Sequence, residues 1–214
     1  MRQRVRVQCF TVTSNGIGAG EDQDHERPFG HVDPEELMAW RFATGSWMNG
    51  SDLVGTRGID DYIERDYARG IGAEIMGRNK FGPIRGEWPD HEWQGWWGNE
   101  PPFHTPVFVL THYSRPSFTL ADTTFHFLQA DPQDALEQAK AAAGDNDVRI
   151  GGGVRTVRAF LDAGLVDEMH VAVVPYEVSR GLQLWTHPDE LTDRFHLERV
   201  PSSSGVVHHF FWRR

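Results

Sequence analysis

The chain has 214 residues, 39% of them hydrophobic, with eight tryptophans, thirteen phenylalanines and a single cysteine. That length can bury one sizeable core, and the lone Cys9 rules out an internal disulfide framework or a cysteine-based zinc site. A formal net charge of −10 argues against general nucleic-acid binding, and no apolar run approaches the roughly 20 residues that a membrane helix needs.

In chain order, Val5, Val7 and Cys9 alternate with Arg4, Arg6 and Gln8, which predicts a first strand over residues 4–13. This opening alternation leaves no signal-peptide block, so a cytoplasmic location is expected. A mobile glycine-rich loop, Ser14–Gly20, follows, then a polar stretch over residues 21–31. Asp33-Pro34-Glu35-Glu36 is a helix start, with an N-cap aspartate, proline at the first position and acids in the first turn. A second helix is predicted from Asp60 to Arg69, and a short buried strand from Ala73 to Met76 that ends in Gly77-Arg78-Asn79.

Residues 81–103 fit neither helical nor strand periodicity and hold Trp88, Trp93, Trp96 and Trp97. An ordered surface loop is expected there, of a length common among binding loops and lids. Its rings either stack on a planar ligand or pack on the domain. Strands are predicted over Val107–Thr111 and Thr124–Leu128, then a helix capped by Asp131-Pro132 and stopped by Gly144. Leu182–Trp185 is a further short apolar stretch. Phe195–Val200 and Val206–Trp212 flank Pro-Ser-Ser-Ser-Gly, a hairpin signal. His208 and His209 fall in its second arm, and the eleven histidines are expected to be structural or exposed.

The run from Ile150 to Pro175, IGGGVRTVRAFLDAGLVDEMHVAVVP, carries the most chemistry. It reads as the tail of a buried strand, a triple-glycine turn, a helix with Val154, Val157, Phe160 and Leu161 on one stripe, a Gly164 stop and a second buried strand. Such a unit presents bare backbone N–H groups at a helix N-terminus, where a phosphate-bearing cofactor docks. Strand–helix–strand order implies parallel neighbours and a right-handed crossover. The predicted fold is therefore a single α/β domain over residues 1–214, with a mixed, mostly parallel sheet flanked by helices and an antiparallel C-terminal hairpin. Ligands in such sheets bind beyond the carboxyl ends of the strands, and three strands here end in Gly77-Arg78, Thr111-His112 and Gly151-Gly152. No GxSxG, HExxH or P-loop supports a hydrolase or nucleotidase, and no metal site is expected.

IMGRNKFGP (75–83), PVFVLTH (106–112) and DVRIGGGVRTVRAFLDAGLVDEMHVAVVP (147–175) make the chain similar to the dihydrofolate-reductase-like family, nearest the reductase domain of the bacterial riboflavin-biosynthesis deaminase-reductase. SNGIGAG after the first strand is similar to that family's Ser-Leu-Asp-Gly loop. The resemblance implies a sheet of about eight strands, NADPH as hydride donor, frequent homodimers, and a small pyrimidine- or pteridine-like substrate. The activity it implies is that of a 5-amino-6-(5-phosphoribosylamino)uracil reductase. The HxE and PCxxC motifs of zinc deaminases are absent.

On this resemblance Arg78, aided by His112 or Arg115, is expected to hold the cofactor's 2′-phosphate, with Gly77, Asn79 and Thr111 beside it. The turn Gly151-Gly152-Gly153 and the helix start Val154-Arg155-Thr156 are expected to take the pyrophosphate, and Ile17, Gly18 and Ala19 to border the nicotinamide. Trp96, Trp97 and Tyr176 are candidates for the substrate pocket. Asp60 and Asp61 occupy the place of the substrate-binding acid, Asp60 being read as the cap and Asp61 as the site acid. Two departures, Asn15 where the family carries aspartate and an altered loop over Tyr176–Arg180, raise an alternative: a protein of this fold that binds NADP(H) or a small molecule without turning it over.

Overall fold

The computed structural model describes residues 2–47 and 55–214. The alternation at the N-terminus forms β1 (Val5–Thr13), whose inward Val5, Val7 and Val12 are almost wholly buried. It is followed by β2 (Ile17–Ala19), α1 (Pro34–Phe42), α2 (Ile59–Arg65), β3 (Ile71–Gly77) and a single helical turn, α3 (Arg78–Phe81). Next come β4 (Val107–Leu110), β5 (Phe118–Leu120), β6 (Thr123–Leu128), α4 (Pro132–Ala143), β7 (Asp147–Gly152), α5 (Val154–Asp162) and β8 (Glu168–Val174). The chain closes with β9 (Leu182–Gln183), β10 (Phe195–Pro201) and β11 (Val207–Arg213).

Nine strands make the main sheet, in the order β10-β11-β8-β1-β7-β3-β4-β6-β5. The six from β8 to β6 are parallel, while β5 and the β10–β11 hairpin pair antiparallel at the two edges. The sheet is thus mixed and mostly parallel, as expected, with β5 added at the far edge. That strand pairs only Phe118–Leu120, too short for its alternation to register in the sequence.

The expected caps explain the helices. Asp33 accepts from Glu35 N with Pro34 at the first position, and Asp131 accepts from Asp134 N. All four residues of the α5 stripe are buried, and Gly164 follows the helix at φ +68°.

Two expectations change. The second helix starts at Ile59 after an uncapped Gly58 and ends at Arg65, so Asp60 is not its cap. Ile17–Ala19, expected in a mobile loop, is a strand: it pairs with β9 and is buried. Asn15 fixes that turn, donating to Val178 O at 2.6 Å and accepting from Thr13 Oγ1 at 2.6 Å. An aspartate could not make the first of these bonds. Of the histidines expected to be structural or exposed, His208 and His209 are both buried.

Residues between α3 and β4 form no helix or strand, yet they are ordered by packing. Trp88, Trp93 and Trp97 cover Phe81, Phe103 and Phe125, and the Trp93 indole donates to Phe81 O at 2.9 Å. Among the described residues no helix is long and apolar enough to cross a membrane.

Candidate functional site

Strand register levels the tips of the sheet. Gly77 lies beside Leu110, Leu110 beside Leu128, and Met76 beside Gly152. These carboxyl ends open on a cavity of about 1610 Å³. Gly77, Arg78 and Asn79, then Thr111 and His112, then Gly151 and Gly153 all line it, and Gly152 sits inside the same turn. Val154, Arg155 and Thr156 continue the wall, with Gly18 and Ala19 adjoining. Ile17 does not reach it, because its side chain packs in the core beside Val32 and Val178.

Two glycines are needed for this closure. A Cβ at Gly77 would overlap Thr156 Oγ1, so glycine is what lets that hydroxyl sit against the tip of β3. Gly152 sits at φ +111°, in the left-handed region, where a side chain is strained. Gly153 caps α5 with no side-chain acceptor, leaving the first-turn N–H groups available beside the cavity.

Arg78 lies over the Trp88 ring, 3.8 Å from its centroid, and donates through Nη1 to Gly86 O. Among the described residues its Nε and Nη2 are buried without a hydrogen-bond partner. Burial holds this guanidinium below the usual arginine range, and neighbouring Arg85 adds to the effect. Such donors are an unsatisfied demand for an acceptor. Arg115, expected to assist, is not on the cavity wall. It is enclosed by Phe81, Trp88, Phe118 and Phe127 and donates to His91 O at 2.8 Å, so it anchors the tryptophan-rich loop.

At the other end of the cavity, α1 and α2 supply a buried ion pair. Arg41 Nε and Nη2 donate to Glu64 at 2.7 and 2.6 Å, and the guanidinium lies 4.7 Å from the Trp47 ring centroid. Neither Asp60 nor Asp61 lines the cavity. Asp61 turns to Arg65 at 2.7 Å and Arg57 at 3.3 Å; these bonds, with one from Ser46, overcome burial and hold its carboxyl below the usual range. Asp60 faces the opposite side of the helix, where it accepts from His208. The acid that α2 does present is Glu64, one turn beyond Asp60. Trp96 and Trp97 line the cavity, Trp97 chiefly packing on Phe103 at 4.7 Å between ring centroids. Tyr176 lies outside, packed in the core cluster of Val32 and Val178.

Charge follows the same division. Arg78, Lys80, Arg85 and Arg155 line the strand-tip end and Arg41, Arg57 and Arg65 the helix end, while among the described residues only Glu64 and Asp131 line it as acids. A strongly acidic chain thus keeps a cationic cavity.

Two networks beneath it escape a linear reading. In β1, Gln8 and Cys9 together oppose His170, a bulge that shapes the cavity floor. Cys9 N–H donates to His170 Nδ1 at 3.1 Å. His170 Nε2 therefore carries the proton and donates to His208 Nδ1 at 3.0 Å, and His208 Nε2 donates to Asp60 at 2.8 Å. In the second network, Glu74 and Arg149 face each other across β3 and β7, fully buried, and Lys80 reaches the same carboxylate. The usable signal was a charge inside an apolar strand, in AEIM and in VRI.

With this geometry in place the comparisons are specific. The family model for the RibD C-terminal domain matches residues 41–182. The chain belongs to the RibD C-terminal domain family. Solved structures share the fold at low identity. A protein provisionally ascribed to riboflavin biosynthesis in Shewanella sp. PV-4 is 20% identical, with a TM-score of 0.53 over 100% of this chain and 99% of that one. A pyrimidine reductase-like protein from Corynebacterium diphtheriae NCTC is 14% identical, with a TM-score of 0.54 over 99% and 92%. No curated protein matches the chain. The fold is the dihydrofolate-reductase-like one expected for a RibD C-terminal domain.

Proposed function

We propose that this RibD C-terminal domain is an NADPH-dependent oxidoreductase acting on a small, anionic pyrimidine- or pteridine-like substrate, in the manner of a 5-amino-6-(5-phosphoribosylamino)uracil reductase. Family membership supports reductase chemistry. The single observation that carries the cofactor is Arg78, which lines the cavity at the tip of β3 and holds Nε and Nη2, unpaired among the described residues, in the layer against Trp88. A phosphate monoester at this wall matches a guanidinium in charge and in planar geometry, and a turn of the Arg78 side chain would bring its unpaired donors to that group.

The remaining residues fit a dinucleotide. The uncapped start of α5 and the turn at Gly151–Gly153 suit a diphosphate. NADPH, when bound, supplies hydride. The protein's part is to hold donor and acceptor close and to exclude water, for which Trp96, Trp97 and Phe103 provide an apolar wall. At the helix end Arg41 holds the Glu64 carboxylate in a fixed plane, where its remaining lone pairs can accept N–H groups of a heterocycle. Arg57 and Arg65, steadied by Asp61, give the substrate's anionic group a cationic rim.

Titration of NADPH and NADH against protein fluorescence tests this reading. Arg78→Ala is expected to weaken NADPH by about tenfold or more while leaving NADH almost unchanged, since a lost charge-assisted pair is worth about 1.5–3 kcal/mol. Equal loss for both would remove Arg78 from the phosphate. Steady NADPH oxidation with an aminopyrimidine or pteridine discards the non-catalytic alternative, and tight binding without turnover favours it.

A further inference from the structure

The floor of the strand-tip end carries one charge too many. Glu74 accepts from Arg149 Nε at 2.8 Å and also from Nη2 of the same guanidinium. Arg149 is completed by Tyr67, donating to its carbonyl at 2.8 Å and lying 3.8 Å from its ring centroid. That pair is already neutral, though both of its bonds go to Glu74 Oε2 and leave Oε1 open. Lys80 then adds a second cation: its Nζ lies 3.0 Å from Glu74 Oε1 and 2.7 Å from Gly151 O. Among the described residues every ion pair made by Arg149 or Lys80 goes to Glu74.

One carboxylate therefore serves two cations, and a positive charge is left over at the cavity wall. Lys80 gives the buried Glu74 Oε1 its hydrogen bond, but a neutral donor would meet that need; the extra charge is not required, because Arg149 alone neutralises Glu74 and burying an uncompensated charge is unfavourable. Lys80 keeps 26% of its side chain exposed, and it lines the cavity beside Gly151, Gly153 and Thr156. Two of its three ammonium donors are engaged by fixed acceptors, which leaves one donor and the surplus charge for a ligand.

We infer that Lys80 is an anion-binding residue, held in place by Glu74 and the Gly151 carbonyl, that takes the diphosphate of the dinucleotide. The assignment rests on the cofactor reading above and adds to it a residue at a second anion position, separate from Arg78. Arg78 and Lys80 stand two residues apart on α3, Arg78 over Trp88 and Lys80 against the glycine turn. Together they give a phosphate monoester and a diphosphate their own cations.

The test measures binding of two probes, NADPH and inorganic diphosphate, to the wild-type protein and to Lys80→Met, Lys80→Gln and Lys80→Arg. Each variant is first checked for its far-ultraviolet spectrum and melting temperature, which Gln should largely preserve because its amide can donate to Glu74 Oε1, while Met leaves that buried oxygen without a donor and is expected to keep the fold but melt lower. Expected are losses of about tenfold or more for both probes in the Met and Gln variants, near-recovery in Arg, and a shallower salt dependence of NADPH affinity in Met. Unchanged affinity for diphosphate in both uncharged variants overturns the inference, whatever happens to NADPH. So does a wild-type protein that binds neither probe. Lys80-dependent binding of diphosphate by a protein that ignores NADPH would keep the anion site and bring down only the dinucleotide reading.

Discussion

The two ends of the cavity are built by different means. At the strand tips the walls are backbone: a glycine turn, a helix start and a close approach at Gly77, all resting on the Glu74–Arg149–Lys80 floor. At the helix end the walls are side chains, fixed by the Arg41–Glu64 pair and by the wire from Asp60 through His208 and His170 to the β1 bulge. The first design presents one shape to a constant chemical group. The second can change with single substitutions, as suits the part of the site that meets the substrate.

The largest expected effect contrasts the two buried carboxylates. Glu74→Gln leaves Arg149 and Lys80 without an anion and is expected to destabilise the fold by about 3–5 kcal/mol in urea unfolding. Glu64→Gln should cost clearly less, because Arg41 keeps its contacts with the Trp47 and Tyr67 rings and borders the cavity. Equal losses would erase the distinction drawn between the ends.

Next in size is Gly77→Ala. Its methyl overlaps Thr156 Oγ1, so that hydroxyl must leave its place at the start of α5, at about 1–3 kcal/mol, with NADPH binding weakened alongside. Retained affinity would show that the strand tips tolerate more play than a backbone-built wall allows.

The last effect, spread over pH rather than felt at once, is titration of the histidine wire. Burial holds His170 well below its ordinary 6.5, and burial also lowers His208 against the pull of Asp60. Below pH 6.5 the unfolded chain thus binds more protons than the folded one. The stabilisation is complete above that pH and is lost as pH falls beneath it, by up to about 1.4 kcal/mol per pH unit for each histidine. Urea midpoints measured between neutrality and about pH 5 check this, and a His170→Gln, His208→Gln protein should show a flatter profile. An unchanged profile would detach the wire from acid sensitivity.

The same contrast explains what could be read from the sequence. The strand-tip end was legible because glycines, strand ends and a helix start are local signals: Gly77, Thr111 and the 151–156 turn meet at one cavity. The helix end was not. Asp60 and His208 are 148 positions apart, Cys9 and His170 are 161 apart, and no periodicity links them. Asp60 and Asp61 lie on the expected helix, but its cavity face carries Glu64, one turn beyond Asp60, and only the packing of α2 on α1 and β11 decides which face that is. Arg115 failed for a related reason: its cage of rings comes from four separate segments.

The bulge in β1 also decides the chemistry of the chain's one sulfur. Cys9 is buried there, and burial pushes its thiol up to about 12. At neutral pH almost no thiolate exists to alkylate, oxidise or exchange. A reporter cysteine introduced on the surface would therefore be labelled alone, without first removing the native one.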